Sequence, residues 1–498
     1  MVLDRKLLDK ENLEFDEISR HQKRLCSPNS NLHFKILKTM SLSNKGIVDT
    51  SVLKLEPSNM KFAAFIPSAG AASRYYASIK DLLVAIENSD LARLEVELEK
   101  VNVDEFSNYA VPETTKKLIL NKDIKAIMAE RDVILSEIAA PKALQPAFKS
   151  GMTFIDVKKK EHQALEAVSA EFFIINPKSK SLFSSYNNKE DSSFLLEQGP
   201  KLSTIRFNTD GSPYVDAHGN YTVVPAGHGS LTKLIPEVKK HAPQCESIFI
   251  RNIDNINGVS SAVLEETNRF LNFHAYIMKT VKNIRSLLAT SNIDEADQVA
   301  CDMIDFLSLE KAKASTNSSL WTVLKSLFHL QDNLAEKLTK ELGSELEALR
   351  YFFERPVNTV GQVPNSGMDV GATAVLCEDD KKREFVIALE PPHASPEDKA
   401  NIFLNPEVAT HFNPAFVASE IVDDTSVYQN ENYDLWIKAE KQFKGTPVMY
   451  HESVLYELLG NSIMSNVCFP EISRILFHPH KSVKDTTLHS KGNFFESE

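Results

Sequence analysis

The stretch Tyr221–Asn257, YTVVPAGHGSLTKLIPEVKKHAPQCESIFIRNIDNIN, decides the fold. Apolar Tyr221–Val224 reads as a strand opening onto Pro225, Ala226, Gly227, His228 and Gly229. The spacing of Leu231, Leu234, Ile235 and Val238 predicts one helix with a single apolar face. Ser247–Ile250 is nearly all apolar, as expected of a strand covered on both faces. It delivers Asn252, Asp254 and Asn255 at its carboxyl end, where open α/β sheets place their ligands. An ordinary strand–helix–strand unit with polar ends has the same pattern, so this stretch speaks to fold class and not yet to function.

The chain, at 498 residues, is long enough for two or more domains and a large core. Its 42% hydrophobic and 25% charged residues are those of a globular protein. A net charge of −12 argues against a dominant nucleic-acid surface, although a local basic site can still hold phosphates. No apolar run approaches the roughly 18–20 residues of a membrane span, and the N-terminus lacks the apolar centre of a signal peptide. The 5 cysteines are scattered without a CxxC pair, which suits reduced thiols and a cytoplasmic location.

Residues 1–60 carry Leu7, Leu8, Leu13, Ile18 and Leu25 in a charged background, a helical packing arm broken at Ser27–Asn31. Lys61–Ile66 is a candidate buried strand running into Pro67-Ser68-Ala69-Gly70-Ala71-Ala72-Ser73-Arg74. Small residues let backbone approach a ligand, and a helix starting there would aim its N–H groups at a phosphate, with Arg74 in its first turn or two. Such turns are common in α/β proteins, so the signal is weak by itself. Lys142, between Pro141 and Pro146, is expected on a rigid extended segment suited to presenting a point charge; a loop lysine at the surface looks the same.

A helix over Ile155–Val168 and strands at Glu171–Asn176 and Ser203–Phe207 continue the alternation, which argues for a mostly parallel sheet. Residues 259–355 are amphipathic with few strand signals, a helical insertion in an α/β domain of residues 61–390. Strands resume at Thr359–Val363, Gly371–Glu378 and Glu384–Leu389. Residues 391–498 read as a C-terminal α/β part that completes the site, ending in loose polar sequence. His478 and His480 form an HxH pair, but no third ligand at a supporting spacing favours zinc, and His393 and His411 read as structural.

PAGHGS followed by IFIRNIDNINGVSS resembles the matching region of eukaryotic-type UDP-glucose pyrophosphorylases, which carry a Pro-Gly-His-Gly turn and a Ser-Asn-Ile-Asp-Asn strand end at similar separation. Residues 476–487, LFHPHKSVKDTT, resemble that family's Phe-x-Pro-Val-Lys-Thr-x-x-Asp-Leu-Leu motif and the Phe-Ser-Pro-Leu-Lys of UDP-N-acetylhexosamine pyrophosphorylases. The loop at residues 61–74 and the Pro141-Lys142 pair fall in the family's order. Nearly the whole chain is more similar still to the bacterial family filed as domain of unknown function 4301. Its members look similar in a Pro-Ala-Ser-Gly-Ala-Ala-Thr-Arg loop (here Pro67-Ser68-Ala69-Gly70-Ala71-Ala72-Ser73-Arg74), a Gly-Gly-His-Gly turn (here Ala226-Gly227-His228-Gly229), Arg-Pro-x-x-x-x-Gly-x-Val-x-Asn (here Arg355–Asn365) and Thr-His-Phe-Asn-Pro.

The resemblance implies an α/β, Rossmann-like nucleotide-diphospho-sugar transferase fold of GT-A type, with a mixed, mainly parallel sheet. It implies a nucleotidyltransferase that joins an NTP to a sugar 1-phosphate and releases pyrophosphate, with Mg²⁺. Such transfer needs no covalent nucleophile; it rests on alignment and charge neutralisation. By the resemblance, Asp254 coordinates Mg²⁺, a hard ion suited to oxygen ligands. Arg74 and Lys142 hold the triphosphate, and Lys481 the sugar phosphate or α-phosphate. Ser68, Ala69, Gly70, Gly227, His228, Asn252 and Asn365 line the nucleotide or sugar, and Asn413 meets sugar hydroxyls. The family loop is usually glycine-rich, whereas Ala69, Ala71 and Ala72 surround Gly70 here, so the resemblance implies methyl groups crowding the base or triphosphate. Transfer to a different acceptor, and a non-catalytic protein that binds nucleotide or sugar phosphate, are the alternatives.

Overall fold

The computed structural model describes residues 3–27, 34–72, 74–188, 190, 192–310, 318–367, 371–379, 382–423 and 435–485. Ser73, most of the break at Ser27–Asn31 and the polar C-terminal end lie outside them. The architecture is mixed α/β with a mainly parallel central sheet, as the alternation of strands and helices predicts. Its strands are β1 (Phe62–Pro67), β2 (Val168–Ile175), β3 (Ser193–Glu197), β4 (Ser247–Arg251), β5 (Val357–Val360), β6 (Phe416–Glu420) and β7 (Asn466–Cys468). The chain divides into two compact units. One comprises Met1–Ala63, Gln198–Ile250 and Glu266–Arg474; the other comprises Ala64–Glu197, Arg251–Glu265 and Ile475–Glu498.

In the first unit the strands run β7-β5-β6-β4, with β7 parallel and β6 antiparallel to β5. Every residue of β4 is buried, which explains its unbroken apolar sequence. The expected helical stretch holds Ser261–Ala289, Ile293–Leu307, Asp332–Leu342 and Glu345–Glu354. Gly343 ends the third of these in a left-handed conformation, and the Ser344 hydroxyl caps the fourth by accepting the Glu347 N–H. Leu3, Leu8, Leu13, Ile18 and Leu25 of the N-terminal arm bury against Ile205, Phe207, Trp436 and Met449.

After Gly227 the chain does not form the single helix expected. A 3₁₀ helix covers His228–Leu234 and an α-helix covers Ile235–His241. Pro236 is the cause: lacking an N–H, it is accepted in the first turn of an α-helix and not in the interior.

In the second unit the order is β1-β2-β3, with β2 and β3 parallel and Phe172 stacked on Phe194. The helix before β2 spans Phe154–Gln163, opened by a reciprocal Thr153–Asp156 capping box. It stops short of the expected Val168 because Val168–Ile175, rich in aromatic and β-branched side chains, belongs to β2.

The helix expected directly after the small-residue loop starts only at Lys80, following a 3₁₀ turn at Ala77–Ile79. Tyr75 and Tyr76 are drawn into the core, where their hydroxyls donate to Pro146 O (2.8 Å) and Gln145 Oε1 (2.5 Å). The chain turns to bury both rings before any helix forms, so Arg74 lies exposed in that turn rather than in a helix. Among the described residues, no helix is long and apolar enough to cross a membrane.

Candidate functional site

Four segments of the second unit meet around Lys142. The Lys142 N–H donates to Gly70 O at 2.9 Å, and Ala71 bridges Pro141, so the turn carrying the lysine is stitched to the small-residue loop. Lys142 begins a 3₁₀ turn, Lys142–Leu144, instead of standing on an extended segment, because Gln145 N–H closes back on its carbonyl. Its ammonium donates to Asp254 Oδ2 at 3.0 Å and to the His480 carbonyl at 2.7 Å. The His480 N–H in turn donates to Asp254 O at 2.8 Å, and Ile256 N–H to His478 O at 3.0 Å, pairing the Asp254 loop with the His-Pro-His-Lys segment. The Tyr75 and Phe154 rings flank the Lys142 ammonium at 5.3 and 5.2 Å from their centroids, within cation–π range.

Lys142 and Asp254 side chains keep 13% and 21% of their surface exposed, so the pair is covered yet reachable. Burial lowers the Lys142 ammonium and outweighs the support it draws from Asp254. Burial works to raise the Asp254 carboxyl, but Lys142, with Lys481 and Lys158, holds it below the ordinary value. Lys481 is exposed, and its N–H and that of Ser482 donate to Asp485 Oδ2 at 2.8 and 2.7 Å. The result is a local cationic field on one carboxylate in an otherwise acidic chain.

Beneath this pair lies a buried ionic network that sequence periodicity does not reveal. Lys158 donates to Glu161 Oε2 at 2.8 Å and to the Asn255 carbonyl; Arg251 reaches the same Glu161 oxygen at 3.2 Å. Glu161 Oε1 accepts the N–H groups of Asn257 (2.6 Å) and Gly258 (2.9 Å). Burial lowers Lys158 to about 8, assisted by Arg251 and opposed by Glu161. Burial opposes ionisation of Glu161, yet Lys158 and Arg251 bring it to about 2. The network clamps the loop bearing Asp254. Its signal was that Phe154, Val157, Lys158 and Glu161 share the buried helical face, which places two charges where apolar residues are expected.

The remaining predicted residues divide between the units. Ser68 is buried, with its hydroxyl donating to Ile66 O at 3.0 Å, while Ala69 is half-buried and Gly70 exposed. Asn252 is half-buried, its carbonyl accepting the Asn255 N–H at 3.4 Å. In the first unit, Gly227 has φ 86°, and a Cβ there would lie 2.4 Å from Ser453 O, so close backbone approach already requires glycine. His228 is exposed. Asn413 is buried and commits its amide to backbone: Nδ2 donates to Gly361 O (2.6 Å) and Phe416 O (3.0 Å), and Oδ1 accepts Ala415 N–H (2.9 Å). Asn365 likewise donates to Ala409 O (2.9 Å) and accepts Gly367 N–H (2.9 Å). Both asparagines serve loop geometry, a role the motif pattern did not separate from ligand contact.

Lys142 occupies Asp254 Oδ2, and no protein donor among the described residues bonds Oδ1. One carboxylate with a free oxygen suits Mg²⁺, which typically takes one or two carboxylates and fills its octahedron with phosphates and water. A different His–carboxylate cluster lies in the first unit. His393 Nδ1 is 2.5 Å from Glu457 Oε1 and 4.0 Å from Glu390 Oε2. Neither His478 nor His480 belongs to a group of three metal-ligand side chains among the described residues.

The model of the family described as "Domain of unknown function (DUF4301)" matches residues 162–489. No curated protein matches the chain. Among solved structures, the UDP-glucose pyrophosphorylase of Leishmania major is similar with a TM-score of 0.51 at 12% identity, over 97% of this chain and 77% of that one. A point mutant of that enzyme in complex with UDP-glucose gives 0.50 at 12% identity, over 97% and 79%. A UDP-glucose phosphorylase of Trypanosoma brucei gives 0.43 at 12% identity, over 88% and 71%. At these identities the likeness is one of fold.

Proposed function

The chain belongs to the DUF4301 family, and we propose that it is a nucleotidyltransferase joining a nucleoside triphosphate to a sugar 1-phosphate with release of pyrophosphate. An oxygen of the sugar phosphate attacks the α-phosphorus, a new P–O bond forms, and the bond to the bridging oxygen breaks with its electron pair leaving on pyrophosphate. The reaction gathers several negative charges at one point, so a site must neutralise and align rather than supply a nucleophile. The observation that carries this reading is the Lys142–Asp254 pair at 3.0 Å, held between the Gly70 loop and the segment bearing Lys481.

In this reading Lys142 neutralises the triphosphate as it enters, exchanging the Asp254 carboxylate for a phosphate oxygen. The released carboxylate, with its unpartnered Oδ1, is the position that would hold Mg²⁺, and the ion would supply charge neutralisation at the phosphates. Arg74 and Lys481, both exposed, extend the cationic surface. The UDP-glucose in the similar Leishmania major structure makes UTP and glucose 1-phosphate the first pair to try.

The test is pyrophosphate release by purified protein with Mg²⁺, each NTP and a panel of sugar 1-phosphates. Turnover with at least one pair, lost in Lys142→Ala and Asp254→Asn, is the expected result. Silence with every pair, or turnover that survives both substitutions, removes the reading.

A further inference from the structure

A cationic cavity lies in the first unit, where the helix Phe15–Leu25 meets the turn after Gly227. Its volume is about 50 Å³, and its lining includes Glu17, Arg20, Arg24, Lys233 and His451. Lys233 donates to Glu17 at 2.7 Å, and Arg20 approaches the same carboxylate at 3.9 Å. Arg20 and Lys233 therefore share the Glu17 carboxylate, and Arg24 lines the same cavity. The imidazoles of His21 and His451 stack at 4.0 Å in the same place, and each is held well below its ordinary value, by burial first and then by neighbours that include Arg24, Arg20 and Lys233.

The hydrogen-bond chemistry adds an argument independent of charge. A guanidinium only donates, so Arg24 Nη1, 2.9 Å from His451 Nε2, fixes that nitrogen as the acceptor. A neutral ring then carries its proton on Nδ1. His451 is 1% exposed, and its Nδ1 is buried with no partner among the described residues. Arg20 Nε, also a donor, is buried and unpartnered. The residues lining the cavity thus hold two buried side-chain donors without acceptors, and among the described residues no lining side-chain acceptor is left buried without a donor. A buried donor left unmet is costly, and an oxyanion meets that demand while balancing the two cations, Arg20 and Lys233, that share Glu17.

We infer that this cavity is a binding site for a phosphoryl-type oxyanion, held by Arg20, Lys233 and the Nδ1–H of His451. Its volume of about 50 Å³ suits a single phosphoryl group. The occupant joins the N-terminal arm to the turn that begins at Gly227, giving a structural purpose to an arm whose sequence shows only packing residues. The inference stands apart from the nucleotidyltransferase reading, since it uses no residue of the Lys142–Asp254 cluster.

The experiment is calorimetric titration of the full chain with inorganic phosphate at constant ionic strength, with chloride as the control. A Lys142→Ala variant separates this cavity from the candidate active site. One phosphate per chain is expected in wild type and, within about twofold, in Lys142→Ala. Arg20→Gln and Lys233→Gln, which touch partly exposed side chains, should each weaken binding at least tenfold while circular dichroism stays that of wild type. Labelled His451 supplies a second readout: its Nδ1–H resonance should shift on phosphate addition. Glucose 1-phosphate binding with the same Arg20 dependence would identify the phosphoryl end of a metabolite as a further occupant. Absence of saturable binding in wild type overturns the inference. So does binding that Lys142→Ala abolishes and Arg20→Gln leaves intact.

Discussion

The Lys142 ammonium sits 3.0 Å from the Asp254 carboxylate, across 112 residues of sequence; burial lowers the ammonium, while Lys142, Lys481 and Lys158 lower the carboxyl against its own burial. Neither is a passive surface ion, because each would lose its main counter-charge if the other were removed. A double-mutant cycle reads this directly. Lys142→Met and Asp254→Asn should each destabilise the fold, and the double mutant should be more stable than their sum by about 0.5–3 kcal/mol, the range for residues in contact. Urea unfolding of the four proteins measures it. Strict additivity would mean that the pair is no more than a crystallographic-style surface contact and would weaken any role for it in holding phosphate.

The second prediction concerns the Lys158–Glu161–Arg251 network. Glu161→Gln leaves two buried cations with one weak acceptor between them and should cost about 3–5 kcal/mol. The pH dependence follows from the folded acidities. Glu161 ionises near about 2 in the fold against an ordinary 4.5, so between those values the unfolded chain holds a proton that the fold does not. Its contribution is complete above about 4.5 and is lost as pH falls towards 2. Lys158 is lowered to about 8 from 10.5, so across that window the unfolded lysine again holds the extra proton. Lys158 therefore makes stability rise with pH from about 8 to 10.5. Denaturant unfolding along the pH scale should show the acid limb in wild type and a shallower one in Glu161→Gln.

How far the sequence could reach is visible in these same residues. The strands around Lys61, Glu171 and Ser247 were legible because burial on both faces leaves unbroken apolar runs, and β2 and β4 are buried almost throughout. Local chain direction was less legible. Pro236 divided the helix expected after Gly227, and Tyr75 and Tyr76 delayed the one after Gly70, since a proline's missing N–H and a ring's need for burial both override apolar spacing. Lys142 and Asp254 could each be picked out, one beside a proline and the other at a strand end. That they pair could not, because the contact depends on how distant segments fold together. Lys158 and Glu161 were missed for the opposite reason: a charge on a helix is read as solvent-facing until the structure places it inside.

The third prediction follows from Gly227. Its φ of 86° with ψ of 170° is a backbone conformation almost confined to glycine, and a methyl there would lie 2.4 Å from Ser453 O and 2.8 Å from Ser453 N. Ser453 N–H donates to Ala226 O at 2.7 Å, so the partner strand cannot retreat without breaking that bond. Gly227→Ala should therefore destabilise by about 3 kcal/mol or more, seen as a lowered Tm with or without any ligand. A stable Gly227→Ala protein would show that the turn is adjustable and that the backbone contact does not demand glycine.

Gly70 makes the opposite case, and the contrast separates fold from function. A Cβ added at Gly70 meets nothing within 4 Å, and its φ lies outside the left-handed range, so the fold places no demand on glycine there. Gly70→Ala should leave Tm unchanged or raise stability by about 0.4–1 kcal/mol through the less flexible unfolded chain. If the loop between Ser68 and Arg74 receives a triphosphate, as proposed, the same methyl stands where the phosphates approach the backbone. Nucleotide affinity should then fall at least tenfold in a protein that folds as well as wild type. Equilibrium binding of UTP with Mg²⁺ to wild type and Gly70→Ala, beside their melting curves, checks this. Unchanged affinity would move the phosphates away from this loop, and with them the proposed parts of Lys142, whose N–H is bonded to Gly70 O, and of Arg74.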